Sequence, residues 1–161
     1  MSDRVTLNVP FNRVEGDLEV RLEIEAWSVV DAWCSGTTFR GFENLLVGRG
    51  PLDGLVLTPR ICGLCSSAHL TAAATALDAL AGAELPLNAV LGRNLALMAE
   101  HIQSDARQTF LMFAADLAGP MHREAPMHDE AVRRYEPFRG SVVAETLQET
   151  RKLLDVIVDA E

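Results

Sequence analysis

The sequence predicts an α+β fold, mostly helical, with a small N-terminal antiparallel sheet followed by a helical bundle that has a long core helix. Three observations predict it. Leu18, Val20, Leu22 and Ile24 alternate with Glu19, Arg21, Glu23 and Glu25, the period-two pattern of a half-buried strand. The stretch 68–83 is rich in Ala and Leu and free of proline. Residues 88–117 carry apolar side chains at near-helical spacing.

Residues 4–9 and 29–39 read as the other two strands, the latter ending near Gly36. From residue 40 the pattern turns helical, with Phe42, Leu45 and Leu46 on one face. Gly82 stops the helix over 68–83, with Pro86 beyond it. In the long helix Leu91, Leu95, Met98 and Ile102, and later Phe110, Phe113 and Leu117, form the candidate buried face, and Gly119-Pro120 ends it. Residues 120–128 hold two prolines and two histidines and read as a loop. Residues 141–158 form a last helix with Val142, Leu147, Leu153, Leu154 and Ile157 as candidate core. This apolar helix runs to the terminus, which fits either an ordinary C-terminal helix or one that continues into, or packs on, something else.

A chain of 161 residues suits a single unit spanning 1–161. Apolar residues at 48% allow a sizeable core, and charged residues at 23% with two Trp exclude a disordered chain. The net charge of −9 disfavours nucleic acid and anionic membrane as partners. No apolar run reaches the ~18 residues of a membrane span. The N-terminal MSDRVTLNVP lacks a secretory pattern, which points to a cytoplasmic protein, membrane-associated at most through a partner. An odd count of three cysteines argues against a disulfide scaffold and for metal ligation or redox chemistry.

The sharpest local signal is Arg60-Ile61-Cys62-Gly63-Leu64-Cys65, with His69 four residues on. On a helix or helix entry this spacing brings both thiols and the imidazole to one face. A helix N-terminus and Arg60 favour thiolate over thiol, and thiolates suit nickel, zinc, copper(I) or iron–sulfur clusters. Thr58-Pro59 reads as an N-cap followed by proline at the first helical position. A lone Cys-x-x-Cys also fits a dithiol redox pair or a buried structural pair. A closed zinc site needs four donors, and Cys34, in an apolar strand, reads as a small core residue rather than a ligand.

Other candidates are weaker in isolation. Glu15, in Asn12-Arg13-Val14-Glu15-Gly16, is either a positioned proton carrier or a surface glutamate in a turn. Glu43, in Phe39-Arg40-Gly41-Phe42-Glu43, is either partly buried with a cation partner or an exposed helix-start residue. His101 reads as a packing residue, Asp105 and Arg107 as exposed polar contacts, and His122 and His128 as surface residues.

Three ordered segments sharpen these readings. Asn12–Gly16, then Gly36-Thr37-Thr38-Phe39-Arg40-Gly41-Phe42-Glu43, then Arg60–Cys65 with His69, resemble in order and spacing the N-terminal motifs of nickel–iron hydrogenase large subunits. Residues 94–116 resemble the long core helix of that family, and Glu130–Gly140 resembles it less specifically.

The resemblance implies that Cys62 is a terminal nickel ligand and that Cys65 bridges nickel to an iron carrying carbon monoxide and cyanide. It implies that His69 donates a hydrogen bond to the bridging sulfur. Glu15 would exchange a proton beside a terminal cysteine. Glu43 would help bind a magnesium or similar divalent ion, and Arg40 and Arg60 would orient the buried carboxylate and the cysteine loop. The reaction would be reversible heterolytic cleavage of H2 to protons and electrons. With no cysteine set for an iron–sulfur wire here, the electrons would leave through an iron–sulfur small subunit.

One departure limits this. The second Cys-x-x-Cys of the family, its late histidine and the arginine over the diatomic ligands have no counterpart in these 161 residues. The chain then provides two of the four cysteine ligands, as a split or truncated large subunit, and a second chain carrying the C-terminal Cys-x-x-Cys half is expected. The alternatives are a non-catalytic assembly or sensor module of hydrogenase ancestry, and a small zinc or dithiol protein.

Overall fold

A computed structural model describes residues 4–14 and 16–160, the side chains of 159 and 160 excepted. The chain divides into two compact units, Met1–Gly41 and Phe42–Glu161.

The first unit is the expected antiparallel sheet: β1 (Val5–Phe11), β2 (Leu18–Glu25) and β3 (Ser28–Gly36), in the order β1-β2-β3. The register aligns Leu7, Leu22 and Ala32, then Val9, Val20 and Cys34, so the apolar positions share one face. A bulge beside Glu23 and Ile24 shifts the β2–β3 pairing. Burial does not follow the apolar face. The one buried side chain among the described residues of the sheet is Glu23, on the other face. Its carboxylate accepts hydrogen bonds from Arg21 (2.8 Å), Arg4 (3.1 Å) and Thr6 (3.1 Å), and the Arg21 guanidinium lies 5.2 Å from the Trp33 ring centroid. Three donors explain how a carboxylate is buried there. Cys34 is exposed, so the reading of it as a core residue is corrected.

Ala26 and Trp27 make the two-residue turn between β2 and β3, with φ of 48° and 64°. Positive φ at both central positions matches the twist of a tight hairpin, a geometry usually given to Asn-Gly.

The second unit is helical. Its helices are α1 (Phe42–Leu46), α2 (Asp53–Leu57), α3 (Ser66–Ala81), α4 (Leu87–Arg107), α5 (His128–Tyr135) and α6 (Ser141–Ala160). Gly82 ends α3 in the left-handed conformation, and the Ala83 amide donates to the Asp78 carbonyl, as the sequence predicts for a glycine stop. α4 runs on without a break through a π turn (Gln108–Phe113) and a 3-10 turn (Ala114–Ala118), which together make up the expected long helix. The stretch read as a loop contains a 3-10 turn, Pro120–His122, and is followed by α5.

Packing corrects the candidate core. On α4 the buried residues are Ala96, Ala99, Glu100 and Gln103, whereas Leu91, Leu95, Met98 and Ile102 are all exposed. On α6, Thr146, Thr150 and Ile157 are buried, and Leu147 and Leu154 are exposed. The two helices meet through small and polar residues. Gln103 Nε2 donates to the Thr150 carbonyl (2.8 Å), Arg107 Nε to Thr150 Oγ1 (3.2 Å), and Thr150 Oγ1 to the Thr146 carbonyl (2.7 Å). Alanines let the backbones approach, and the buried polar groups are satisfied. His101, expected to pack, is exposed.

Candidate metal centre

Cys62 and Cys65 lie in the second unit, on the short irregular segment between a 3-10 turn (Thr58–Arg60) and α3. Pro59 falls in the first positions of that turn, where its missing N–H costs nothing. The cysteines are not on a helix face. Cys65 occupies the cap position of α3 and Cys62 precedes it in irregular chain, so of the two expected settings, helix or helix entry, the motif takes the helix entry. Both thiols are half-buried. His69 lies one turn into α3, and its amide donates to the Cys65 carbonyl at 3.2 Å.

Thr58 also departs from expectation. It caps no helix carrying the cysteines; its Oγ1 donates to the His69 carbonyl at 3.2 Å and ties the turn to α3. The cap of α3 comes from farther away. The Glu100 carboxylate on α4 accepts from the Ser67 amide (2.8 Å) and the Ala68 amide (3.1 Å). Two of the amides that would lend positive potential to the thiols are thereby engaged by a negative group. Sequence reasoning missed Glu100, since a carboxylate inside a long helix reads as a solvated position. The signal in hindsight is that Ala96, Ala99 and Gln103 share its face.

The remaining predicted residues fall on different segments of the chain. Arg60 is exposed at the end of the 3-10 turn. Glu43 is exposed in the first turn of α1, the helix-start setting that was one of its two expected alternatives. Arg40 belongs to the first unit and is exposed. Glu15 lies outside the described residues. Among the described residues no group of three or more His, Cys, Asp or Glu side chains is placed to hold a metal ion. Cys62 and Cys65 are two soft donors three residues apart, of the type that suits a thiolate-rich centre. His122 and His128, read as surface residues, are half-buried and line a cavity of about 260 Å³ with Arg134 and Tyr135.

Residues 40–120 match the family model described as nickel-dependent hydrogenase, just over half of the chain and including both site cysteines. The chain belongs to the nickel-dependent hydrogenase family. Over 112 residues, 69% of this chain and 22% of the relative, it is 42% identical to the periplasmic [NiFeSe] hydrogenase large subunit of Desulfomicrobium baculatum. Over its whole length it is 28% identical to the hydrogenase-2 large chain of Escherichia coli K12, covering 29% of that protein. Among solved structures it superimposes on the Ni-Fe-Se hydrogenase of Desulfovibrio vulgaris Hildenborough with a TM-score of 0.70 at 30% identity, covering 96% of this chain and 34% of that one. This member of the family thus spans about a third or less of the length of these relatives.

Proposed function

We propose that the chain is the N-terminal part of a nickel–iron hydrogenase large subunit, and that Cys62 and Cys65 supply two of the four cysteine ligands for reversible heterolytic cleavage of H2. The observation that carries this reading is the placement of both thiols, half-buried, at the head of α3 within the residues that match the family. Soft thiolates suit nickel, and a Cys-x-x-Cys at a loop-to-helix junction offers two donors from one short, anchored segment. When bound, a nickel–iron pair supplies the electron-rich centre at which H2 is polarised and split. The protein residues do the rest on this reading. Cys62 would hold nickel, Cys65 would be shared by nickel and iron, and His69 would orient the Cys65 sulfur by a hydrogen bond. Glu15 takes and returns the proton, while Arg40 and Arg60 hold the carboxylate and the cysteine segment.

Carbon monoxide and cyanide on the iron, and a magnesium or similar ion held in part by Glu43, are further parts of the proposal. So is an iron–sulfur small subunit that removes the electrons. The other thiolates come from residues outside these 161, on the same polypeptide or on a second chain. Activity belongs to the assembled enzyme alone. The cytoplasmic placement also stands as a proposal: one relative is named periplasmic and another quinone-reactive, and fractionation of the native host decides the compartment. Among the described residues no helix is long and apolar enough to cross a membrane.

The test is purification from the native host with whatever travels with the chain, followed by infrared spectroscopy in the region of metal-bound cyanide and carbon monoxide. The expected result is those bands together with nickel and a co-purifying source of further cysteines. Zinc, or no metal, with no bands would overturn the reading in favour of a zinc or dithiol protein or a non-catalytic relative.

A further inference from the structure

We propose that Glu100 is a positioning residue for the cysteine pair: from α4 it clamps the first turn of α3 and so fixes the backbone from which Cys65 presents its sulfur. This rests on the reading of Cys62 and Cys65 as metal ligands. Glu100 is only 3% exposed, and its two carboxylate oxygens are used separately, Oε2 by the Ser67 amide and Oε1 by the Ala68 amide. Helices commonly take their cap from the residue just before the first turn, through a Ser, Thr, Asp or Asn side chain. In α3 that position is held by Cys65, whose side chain makes no capping hydrogen bond. The task falls instead on a carboxylate 33 residues away in sequence.

The clamp is tightly enclosed. Ser67 is 1% exposed, the most buried side chain among the described residues. Thr58 Oγ1 donates to the His69 carbonyl a little further along α3. Both ties thus act on the start of α3, immediately after the cysteines: one comes from α4 and the other from the 3-10 turn that precedes them. A buried carboxylate that loses its donors, or donors that lose their carboxylate, must rearrange, and the proposed bridging ligand stands only two residues before Ser67. A second tie joins the same two helices at their other ends, where Arg93 pairs with Asp78. That tie lies about three and a half turns along α3 from Cys65 and supplies a control.

The experiment uses the native assembled enzyme with Glu100→Gln, Glu100→Ala and Asp78→Asn. Gln keeps one acceptor and sets a donor against the other amide; Ala removes both acceptors. In the Glu100 variants, exchange of the Ser67 and Ala68 amides should accelerate about tenfold or more. The infrared bands of metal-bound cyanide and carbon monoxide should move, and nickel per large subunit should fall, with Ala worse than Gln. Asp78→Asn loosens the same helix pair and should leave the bands at their wild-type positions. Bands unmoved in Glu100→Gln, or moved as far by Asp78→Asn, would overturn the proposal, and so would unchanged exchange at Ser67 and Ala68. Glu100→Gln alone carries the test if Glu100→Ala fails to accumulate. A wild-type enzyme without such bands overturns the ligand assignment itself, and the proposal with it.

Discussion

Glu23 carries a charge that the surrounding fold has been arranged to keep. The Arg21 hydrogen bond holds its carboxyl below the usual carboxylate range; burial pushes the other way, and Thr6 and Arg4 add to the lowering. A carboxylate whose folded value is depressed contributes stability that is fully present above its unfolded value and is lost as pH falls through the folded one. Glu23→Gln should therefore lower the urea midpoint of the sheet at pH 7, read by tryptophan fluorescence. In acid, below the folded value, the two proteins should unfold alike; a difference that persists there would mean that the amide fails by its shape and not by its missing charge. On the proposed function the cysteines make the opposite case, with a side chain given to chemistry and not to capping. Cys65 caps nothing with its sulfur, so Cys65→Ala should leave α3 intact by amide exchange while abolishing H2 turnover in the assembled enzyme. Unchanged turnover would exclude Cys65 as a ligand.

Turns and helix junctions show where local chemistry was legible. The alternation in β2 and the Gly82 stop were both readable, because each depends on a few neighbouring residues. The β2–β3 turn was not legible as a tight hairpin, because Ala26 and Trp27 are not the residues that such a turn prefers. Both hold left-handed φ, at a cost of about 1 kcal/mol or more for a residue with a Cβ. Trp27 is 100% exposed and recovers nothing by packing. Trp27→Gly should thus stabilise the hairpin by about 1 kcal/mol, seen as slower opening of the β2–β3 amides in hydrogen exchange; faster opening would show that the turn is not strained. Gly140, between α5 and α6, is constrained in another way. A Cβ there would meet the Arg134 carbonyl oxygen at 2.3 Å, a backbone atom that cannot swing aside. Gly140→Ala should destabilise this junction by about 1–3 kcal/mol, as overpacking does. The Glu130–Gly140 segment resembled the hydrogenase family in sequence, and this close approach gives one physical reason for a glycine at its end.

Across the whole molecule, periodicity revealed the helices but not which face they bury. The stripe Leu91, Leu95, Met98 and Ile102 has the spacing of a core face and lies exposed, with Met98 at 61%. α4 instead meets α6 through Ala96, Ala99, Gln103 and Thr150, a seam of small and hydrogen-bonded residues with no hydropathy signature. A helix with one face satisfied and a second, apolar face open is suited to burial on two sides. That agrees with a chain spanning about a third of its solved relatives. The candidate site has the same character. Its cysteines were legible from three ordered motifs, while the clamp from Glu100 was not, since only the fold brings residues 67 and 100 together. If the open stripe is an assembly face, its side chains contribute to association and hardly to the fold seen here. Met98→Lys places a charge at the centre of the stripe, where a solvated helix accepts it and a buried interface does not. In the native host the variant should accumulate with wild-type protection of the α4 and α6 amides, yet yield several-fold less nickel-loaded complex. Normal yields of loaded complex would mean that this stripe stays in water in the finished enzyme, and that the remaining ligands approach the head of α3 from another side.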